Sequence, residues 1–385
     1  MCLLAPSAGG QKPLPEEYFG MHIHNAATGT PWPDTPFRSW MLWDAGVAWP
    51  DLEPRYSEWH FERLDQYVTL AQQHHVHILL TLGLTPAWAT ARPKEKSDYQ
   101  PGNAAEPSNM QWWRDYVRAV ATRYKGRIEA YEIWNEPNRK DAFSGTVPQL
   151  VMMTREAYGI IKKVDPGALV VSASATASNG IDWFNQYLAL GAGRYVDAVG
   201  YHLYVNPLPP EEMLPLGEAV RHAMKMHGIG NKPLWDTETG WAKPKVFQSQ
   251  EEKAAFVSRT LIVNWPMGVQ RLYWYAWDNH QWVTLEMVTA ETQAPTSAAR
   301  AYATTRFWML GASMKPCKAQ LGGTWTCALN RPEGRSWIVW NVNSLMFFNI
   351  PAEWHVRTVT DLQGTTRPVA GASVSIGISP ILLRG

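Results

Sequence analysis

Arg127-Ile128-Glu129-Ala130-Tyr131-Glu132-Ile133-Trp134-Asn135-Glu136-Pro137-Asn138 is a short β-prone run cut off by proline. Ile128, Ala130 and Tyr131 to Trp134 are mainly apolar, and Pro137 cannot continue a strand ladder, so Glu136 stands at the strand's C-terminal end. A carboxylate in that place is either a structural charge held by caps or a catalytic acid or base. What the rest of the chain places beside it decides between the two.

The same grammar repeats on both sides of the run. Phe61, Leu64, Val68 and Ala71 recur at helical spacing between His60 and His75, and Val76 to Leu82 follows as a buried strand. Ser108 with Gln111, Thr146 with Gln149, and Ser249 with Glu252 have the form of capping boxes that open helices. Further strands are expected at 18–22, 37–43, 168–172, 196–201, 233–237 and 271–276, and further helices near 181–190, 211–227 and 297–310. Eight strands alternating with helices over roughly 290 residues predict an α/β fold, a (β/α)8 TIM barrel spanning 18–311. A doubly wound open sheet fits less well, because no Gly-rich phosphate turn follows the first strand. After Ala312, short alternating runs split by Gly-Gly, Pro-Glu-Gly and Gln-Gly turns predict a small C-terminal antiparallel β-sandwich, 312–385. Residues 1–17, rich in Pro and Gly, form a lead expected to pack on that β domain.

Composition narrows the function classes. Formal net charge is +1, from 35 basic and 34 acidic residues, so no summed field favours nucleic acid or an acidic membrane. No apolar run reaches the roughly 20 residues that span a bilayer. The chain carries 21 Trp and 15 Tyr beside only 10 Phe, a choice of aromatics with a flat apolar face and a polar edge that suits sugars, although more than half of the tryptophans are expected to be core. Cys317 and Cys327, ten apart, read equally as a disulfide or as two buried thiols.

In a barrel, function gathers where strands end. Those positions supply Arg38, Trp88, Asn135, Glu136, His202, Tyr204, Glu238 and Trp277. Glutamates from the fourth and seventh strands can converge to about 5 Å, the separation at which one carboxylate attacks a sugar carbon while the other protonates the leaving oxygen, with retention of configuration. Glu238 must then stay ionised, with Arg38 and the Tyr204 hydroxyl as donors, and Glu136 must be protonated, its pKa raised by burial and its like-charged partner. Asn135 suits a ring hydroxyl, Trp277 and Trp88 suit the apolar face of a sugar, and His202 is expected to support the site without titrating.

Glu132-Ile133-Trp134-Asn135-Glu136-Pro137-Asn138, His202-Leu203-Tyr204 and Asp236-Thr237-Glu238-Thr239-Gly240-Trp241 together resemble the large barrel clan, clan A, of retaining glycoside hydrolases. Arg38-Ser39-Trp40, Thr85-Pro86-Ala87-Trp88-Ala89 and Arg123-Tyr124-Lys125-Gly126-Arg127-Ile128 make the chain most similar to family 39, the β-xylosidases, iduronidases and bacterial exopolysaccharide hydrolases. The resemblance implies Glu136 as acid/base, Glu238 as nucleophile, and Arg38, Asn135, His202, Tyr204 and Trp277 around them. It implies a carbohydrate substrate, an endo-acting exopolysaccharide hydrolase or an exo-acting β-xylosidase, and neither metal nor organic cofactor.

Two rivals are weighed against this. A metal-dependent hydrolase would use His22 and His24 with His202 and Asp278; a non-catalytic sugar-binding barrel would keep the aromatics and need no glutamate pair. The expected protein is a monomer with no nucleic-acid partner. It is expected to be secreted or periplasmic with its leader absent from the chain, anchored through a lipid on Cys2 in one form of that reading, and a cytoplasmic placement stays open.

Overall fold

The computed structural model describes residues 12–385. The first sheet contains β1 (Phe19–His22), β2 (Ser39–Leu42), β3 (His77–Leu82), β4 (Ala130–Ile133), β5 (Leu169–Val171), β6 (Ala175–Thr176), β7 (Val199–His202), β8 (Leu234–Thr239) and β9 (Val269–Trp274). Helices α1 (Trp49–Leu52), α2 (Glu62–Gln73), α3 (Met110–Arg123) and α4 (Val147–Val164) accompany the first half. The second half carries α5 (Ile181–Ala189), α6 (Met213–Met226), α7 (Gln250–Asn264) and α8 (Ser297–Met309).

All pairings in this sheet are parallel, in the order β5-β4-β3-β2-β1-β9-β8-β7-β6. The ends meet through parallel bridges, Val171 to Ala198 and Asn135 to Ser174, so the sheet curls shut as a TIM barrel. The expected fifth strand is broken in two: β6 is its continuation, displaced onto β7 after Ser172-Ala173-Ser174. Two of the three capping boxes need restating. Asn109, not Ser108, caps α3 by accepting from Gln111 N at 2.9 Å, and at α7 Ser249 accepts from Glu252 N while Glu252 accepts from Gln248 N rather than from the cap. Thr146 and Gln149 make the full reciprocal box.

The C-terminal strands form an antiparallel sheet, built on a hairpin of Thr324–Arg331 with Gly334–Asn341, and a two-stranded sheet of Met346–Asn349 with Ser373–Ile376. Together they make the β-sandwich. One apolar core runs without a break from the barrel's outer shell through Trp308 and Met314 to Ile338, Trp340 and Leu382 of the sandwich. The junction also carries a buried ion pair: Arg259 Nε donates to Glu211 Oε1 at 2.8 Å, and Trp340 Nε1 donates to the same oxygen at 2.8 Å. Of the N-terminal lead, Leu14 pairs backbone to backbone with Gly311 and Ala312 where the two parts join; Cys2 lies outside the described residues. Cys317 and Cys327 are disulfide-bonded. No described helix is long and apolar enough to cross a membrane.

Thirteen of the 21 tryptophans are buried, so most of the unusual aromatic content is core rather than sugar platform.

Candidate active site

The site grows from the end of β4. Trp134 N donates to Leu82 O at 2.8 Å and Glu136 N to Ser174 O at 2.9 Å, which ties the turn to β3 on one side and to the broken fifth strand on the other. Trp134 and Glu136 both take left-handed backbone, φ 71° and 45°, a conformation costly for side chains with a Cβ. Because the neighbouring strands over-determine it, the strain holds the Glu136 carboxylate over the barrel mouth. Below, Glu132 on the same strand is fully buried, accepting from Thr81 Oγ1 at 2.9 Å and from Ser174 Oγ; Ser174 Oγ also pairs with Thr237 Oγ1 at 2.9 Å. Burial raises the Glu132 pKa, chiefly by desolvation, and with the hydroxyls of Thr81, Ser174 and Thr237 it forms a polar floor beneath the ends of β4 and β8.

Glu238 rises from β8 and is 7% exposed, as is Glu136. His202, the last residue of β7, places Nδ1 3.1 Å from Glu136 Oε1 and 3.9 Å from Glu238 Oε1. One polar atom from each of the three side chains lies within 4.8 Å of the others. The Tyr204 hydroxyl donates to Glu238 Oε1 at 3.0 Å, whereas Glu238 Oε2 and Asn135 Oδ1 are buried without partners. Asn135 is thus poised with a free acceptor beside Glu136.

Two side chains stand elsewhere than expected, and a third is at its expected place but buried. Arg38 precedes β2, so it lies at the barrel's N-terminal end, donating to His75 O on the face opposite the mouth. The mouth residue of that strand is Asp44, which follows it. Trp88 is half-buried in an aromatic cluster with Trp49, Tyr56 and Trp112, and its Nε1 donates to Glu53 O; it packs the helix layer. Trp277 follows β9 as expected and is buried, 3% exposed, with its backbone N bonded to His22 O. The alternative metal set does not assemble either. His22 Nε2 pairs with Thr237 O, and the Asp278 oxygens accept from His24 N, Asn25 N and Thr30 Oγ1.

The strongest missed partner of Glu136 is Arg139, whose Nη1 donates to Glu136 Oε2 at 2.7 Å while the same guanidinium also reaches Asp98 and Asp141. Its spacing, three residues after the glutamate, is the signal that could have found it. Asp44 is the second. Its two oxygens accept from Tyr99 OH at 3.0 Å and Tyr275 OH at 2.7 Å.

These contacts reverse the expected electrostatics of the free site. For Glu136, burial is the largest influence and acts upward, but the bonds from His202 and Arg139 outweigh it and bring the pKa down to about 2. Burial likewise dominates at Glu238, and there the like charges of Glu136 and Asp44 add to it against His202 and Tyr204, pushing it up to about 8. For His202, burial acts downward and is overcome by Glu238 and Glu136, giving about 9. At neutral pH the free site therefore holds a cationic His202, an ionised Glu136 and a proton on Glu238.

The sequence profile described as "Glycosyl hydrolases family 39" matches residues 38–275. The chain is 26% identical to a β-xylosidase from Geobacillus stearothermophilus over 243 residues, 55% of this chain and 46% of that protein. It is 26% identical to a β-xylosidase from Caldicellulosiruptor saccharolyticus over 264 residues, 62% of this chain and 52% of that protein. It thus spans about half the length of these two relatives. Among solved structures, its fold is similar to that of a family 39 β-xylosidase from Caulobacter crescentus, with a TM-score of 0.68, 14% identity and coverage of 97% of both chains.

Proposed function

The chain belongs to family 39 of the glycosyl hydrolases, and we propose that it is a retaining glycoside hydrolase that cleaves a β-linked oligosaccharide or polysaccharide with Glu238 as nucleophile and Glu136 as acid/base. The observation that carries this reading is the convergence of the two strand-end glutamates, whose nearest oxygens fall within 4.8 Å around His202. That spacing leaves no room for a water between carboxylate and sugar and so favours direct attack.

In the first step a Glu238 oxygen attacks the anomeric carbon, the glycosidic C–O bond breaks, and Glu136 gives its proton to the departing oxygen. In the second step Glu136 takes a proton from water, whose oxygen displaces the Glu238 ester. Both steps require the proton to reside on Glu136 when substrate is bound. Ring hydroxyls donating to the unpartnered Glu238 Oε2, with Tyr204 already on Oε1, stabilise the ionised nucleophile and move the proton to Glu136. The free Asn135 Oδ1 accepts from the hydroxyl next to the reacting carbon, a bond that strengthens as positive charge develops.

Internal cleavage of a bacterial-type exopolysaccharide is our first reading of the substrate. The two β-xylosidase relatives favour a second, removal of a terminal β-xylosyl unit. We further propose action as a monomer, with carbohydrate and no nucleic acid as partner, in an exported compartment, which the Cys317–Cys327 disulfide supports.

The test is hydrolysis of a panel of aryl β-glycosides and polysaccharides by wild type, Glu136→Ala and Glu238→Ala, with and without chelator and azide. Azide rescue of Glu238→Ala to a glycosyl azide of inverted configuration, with chelator inert, is the expected result. Absence of any cleavage by wild type overturns the reading in favour of a binding barrel, and chelator sensitivity overturns it in favour of metal catalysis.

A further inference from the structure

Beside the glutamates the mouth opens into a cavity of about 560 Å³, bordered by residues at and after the ends of β1, β2, β3 and β9, among them His24, Trp43, Asp44, Tyr99, Asp278 and Trp282. Cavities of that size hold small organic ligands. Water occupies about 30 Å³ per molecule in the liquid, so a glycosyl unit, with covalent distances between its dozen or so heavy atoms, fills well under about 360 Å³. One unit leaves much of the space open.

The lining has a definite charge character. Among the described residues no lysine or arginine lines the cavity, while three carboxylates do. Two of these are already engaged: Asp278 binds two backbone N–H groups and the Thr30 hydroxyl, and Asp51 caps α1 at Ala48 N. Asp44 is different. It is exposed, and each of its oxygens takes one tyrosine hydroxyl and retains a lone pair for a ligand hydroxyl. His24 is 6% exposed, its Nε2 has no partner, and burial lowers its pKa, so it offers a neutral imidazole rather than a cation. Trp282, 63% exposed, supplies an aromatic wall.

Resting on the hydrolase reading above, we propose that this cavity seats at least two uncharged glycosyl units on the nucleophile side of the cleaved bond, with Asp44 as the acceptor that selects neutral over acidic sugars. Its place beside the nucleophile follows from geometry: Tyr275 N bonds to Thr239 O, next to Glu238, and the Tyr275 hydroxyl donates to Asp44, while Arg139 and Asp98 stand on the Glu136 side, where the leaving group departs. A uronosyl or sulfated unit there would meet the Asp44 carboxylate, while Arg63, packed behind Gly46 of the wall, offsets Asp51.

The experiment is titration calorimetry on the full chain carrying Glu136→Gln, with xylose, glucose, the β-linked disaccharides of xylose, glucose and mannose, and glucuronosyl-xylose as probes. At least one neutral disaccharide should bind about tenfold or more tighter than the monosaccharides, and the acidic disaccharide should bind at least about tenfold more weakly. Adding Asp44→Asn should weaken the neutral disaccharide about tenfold and narrow its advantage over the acidic one. If that variant does not fold, Trp282→Ala, at an exposed position, should weaken disaccharides by about fivefold while sparing monosaccharides. Equal binding of acidic and neutral disaccharides, indifference to Asp44→Asn, or no disaccharide binding at millimolar concentration overturns the proposal. Neutral disaccharides bound through Asp44 by a protein that cleaves no aryl glycoside would instead overturn the hydrolase reading and leave this one standing.

Discussion

Replacing the proposed nucleophile should make the protein more stable. In the folded chain Glu238 is 7% exposed, one of its oxygens has no partner, and its pKa is pushed up to about 8 from an ordinary 4.5. A carboxyl raised in this way contributes its full stability below the unfolded pKa and loses it as pH rises toward the folded one. At pH 7 the unfolded chain has released a proton that the folded chain still holds. The gap between pH 7 and that ordinary value corresponds to about 3 kcal/mol. Glu238→Gln removes this penalty and keeps the acceptor for Tyr204, while its new amide N–H can donate to Glu136. Because Glu136, His202 and Glu238 titrate together, roughly half the gain is retained, so about 1 to 2 kcal/mol is expected. At about 2 °C per kcal/mol for a chain of this size, Tm should rise by about 2 to 4 °C at pH 7.

The assay is thermal unfolding of wild type and Glu238→Gln at several pH values between 4.5 and 8. The difference should be near zero at pH 4.5, grow through neutrality, and accompany loss of glycosidase activity, as expected where a site keeps a function-bearing group at the expense of stability. A variant less stable than wild type at pH 7, or one stabilised equally at every pH, would refute the reasoning, because in either case the buried carboxyl was not the source of the penalty.

Tyr204→Phe deletes the hydroxyl bonded to Glu238 at 3.0 Å, and should lower kcat by about ten- to a hundredfold in steady-state assays with little change in fold stability. Arg139→Gln removes the guanidinium 2.7 Å from Glu136; with the arginine 40% exposed, screening leaves about 1 kcal/mol, so Glu136 should hold the proton more often. Substrates with poor leaving groups, which need that proton, should then gain about three- to fivefold relative to activated aryl glycosides, and an unchanged ratio counts against the assignment. Glu211→Gln strands Arg259, 2% exposed, beneath the sandwich; unfolding measurements should show a loss of about 3 to 5 kcal/mol.

How much of this was legible follows from where each signal is written. Glu136, His202, Tyr204 and Glu238 could be placed because they follow short apolar runs, and in a parallel barrel the C-terminal ends of all such runs share one mouth. Arg38 failed on the same rule. The run Ser39 to Trp43 is bounded by a charge at each end, and chain direction makes Asp44, not Arg38, the mouth residue. Trp88 could not be resolved from sequence because its partners Trp49, Tyr56 and Trp112 come from α1, a turn and α3, whose mutual packing no local pattern encodes. Tyr99 lies in the long polar 89–107 loop and meets Asp44 only through that loop's fold.

The protonation pattern was the least legible feature, and the reason is physical. Two buried carboxylates within 4.8 Å of one another and of a cationic imidazole cannot both be stabilised as anions, so the one with the better donors keeps the charge. The deciding donors are His202, which bonds Glu136 at 3.1 Å but stands 3.9 Å from Glu238, and Arg139, which is placed by the turn after Pro137 and whose competing partners Asp98 and Asp141 fix how far it reaches. Glu136 thus rests ionised although its proposed work is to donate a proton. The free Glu238 Oε2 and Asn135 Oδ1 are the groups through which a sugar can reverse that order: hydroxyls that fill them favour an ionised Glu238 and return the proton to Glu136. An active arrangement that forms only with substrate bound makes the resting pair a poor acid, and it ties proton transfer to a sugar filling Glu238 Oε2 and Asn135 Oδ1.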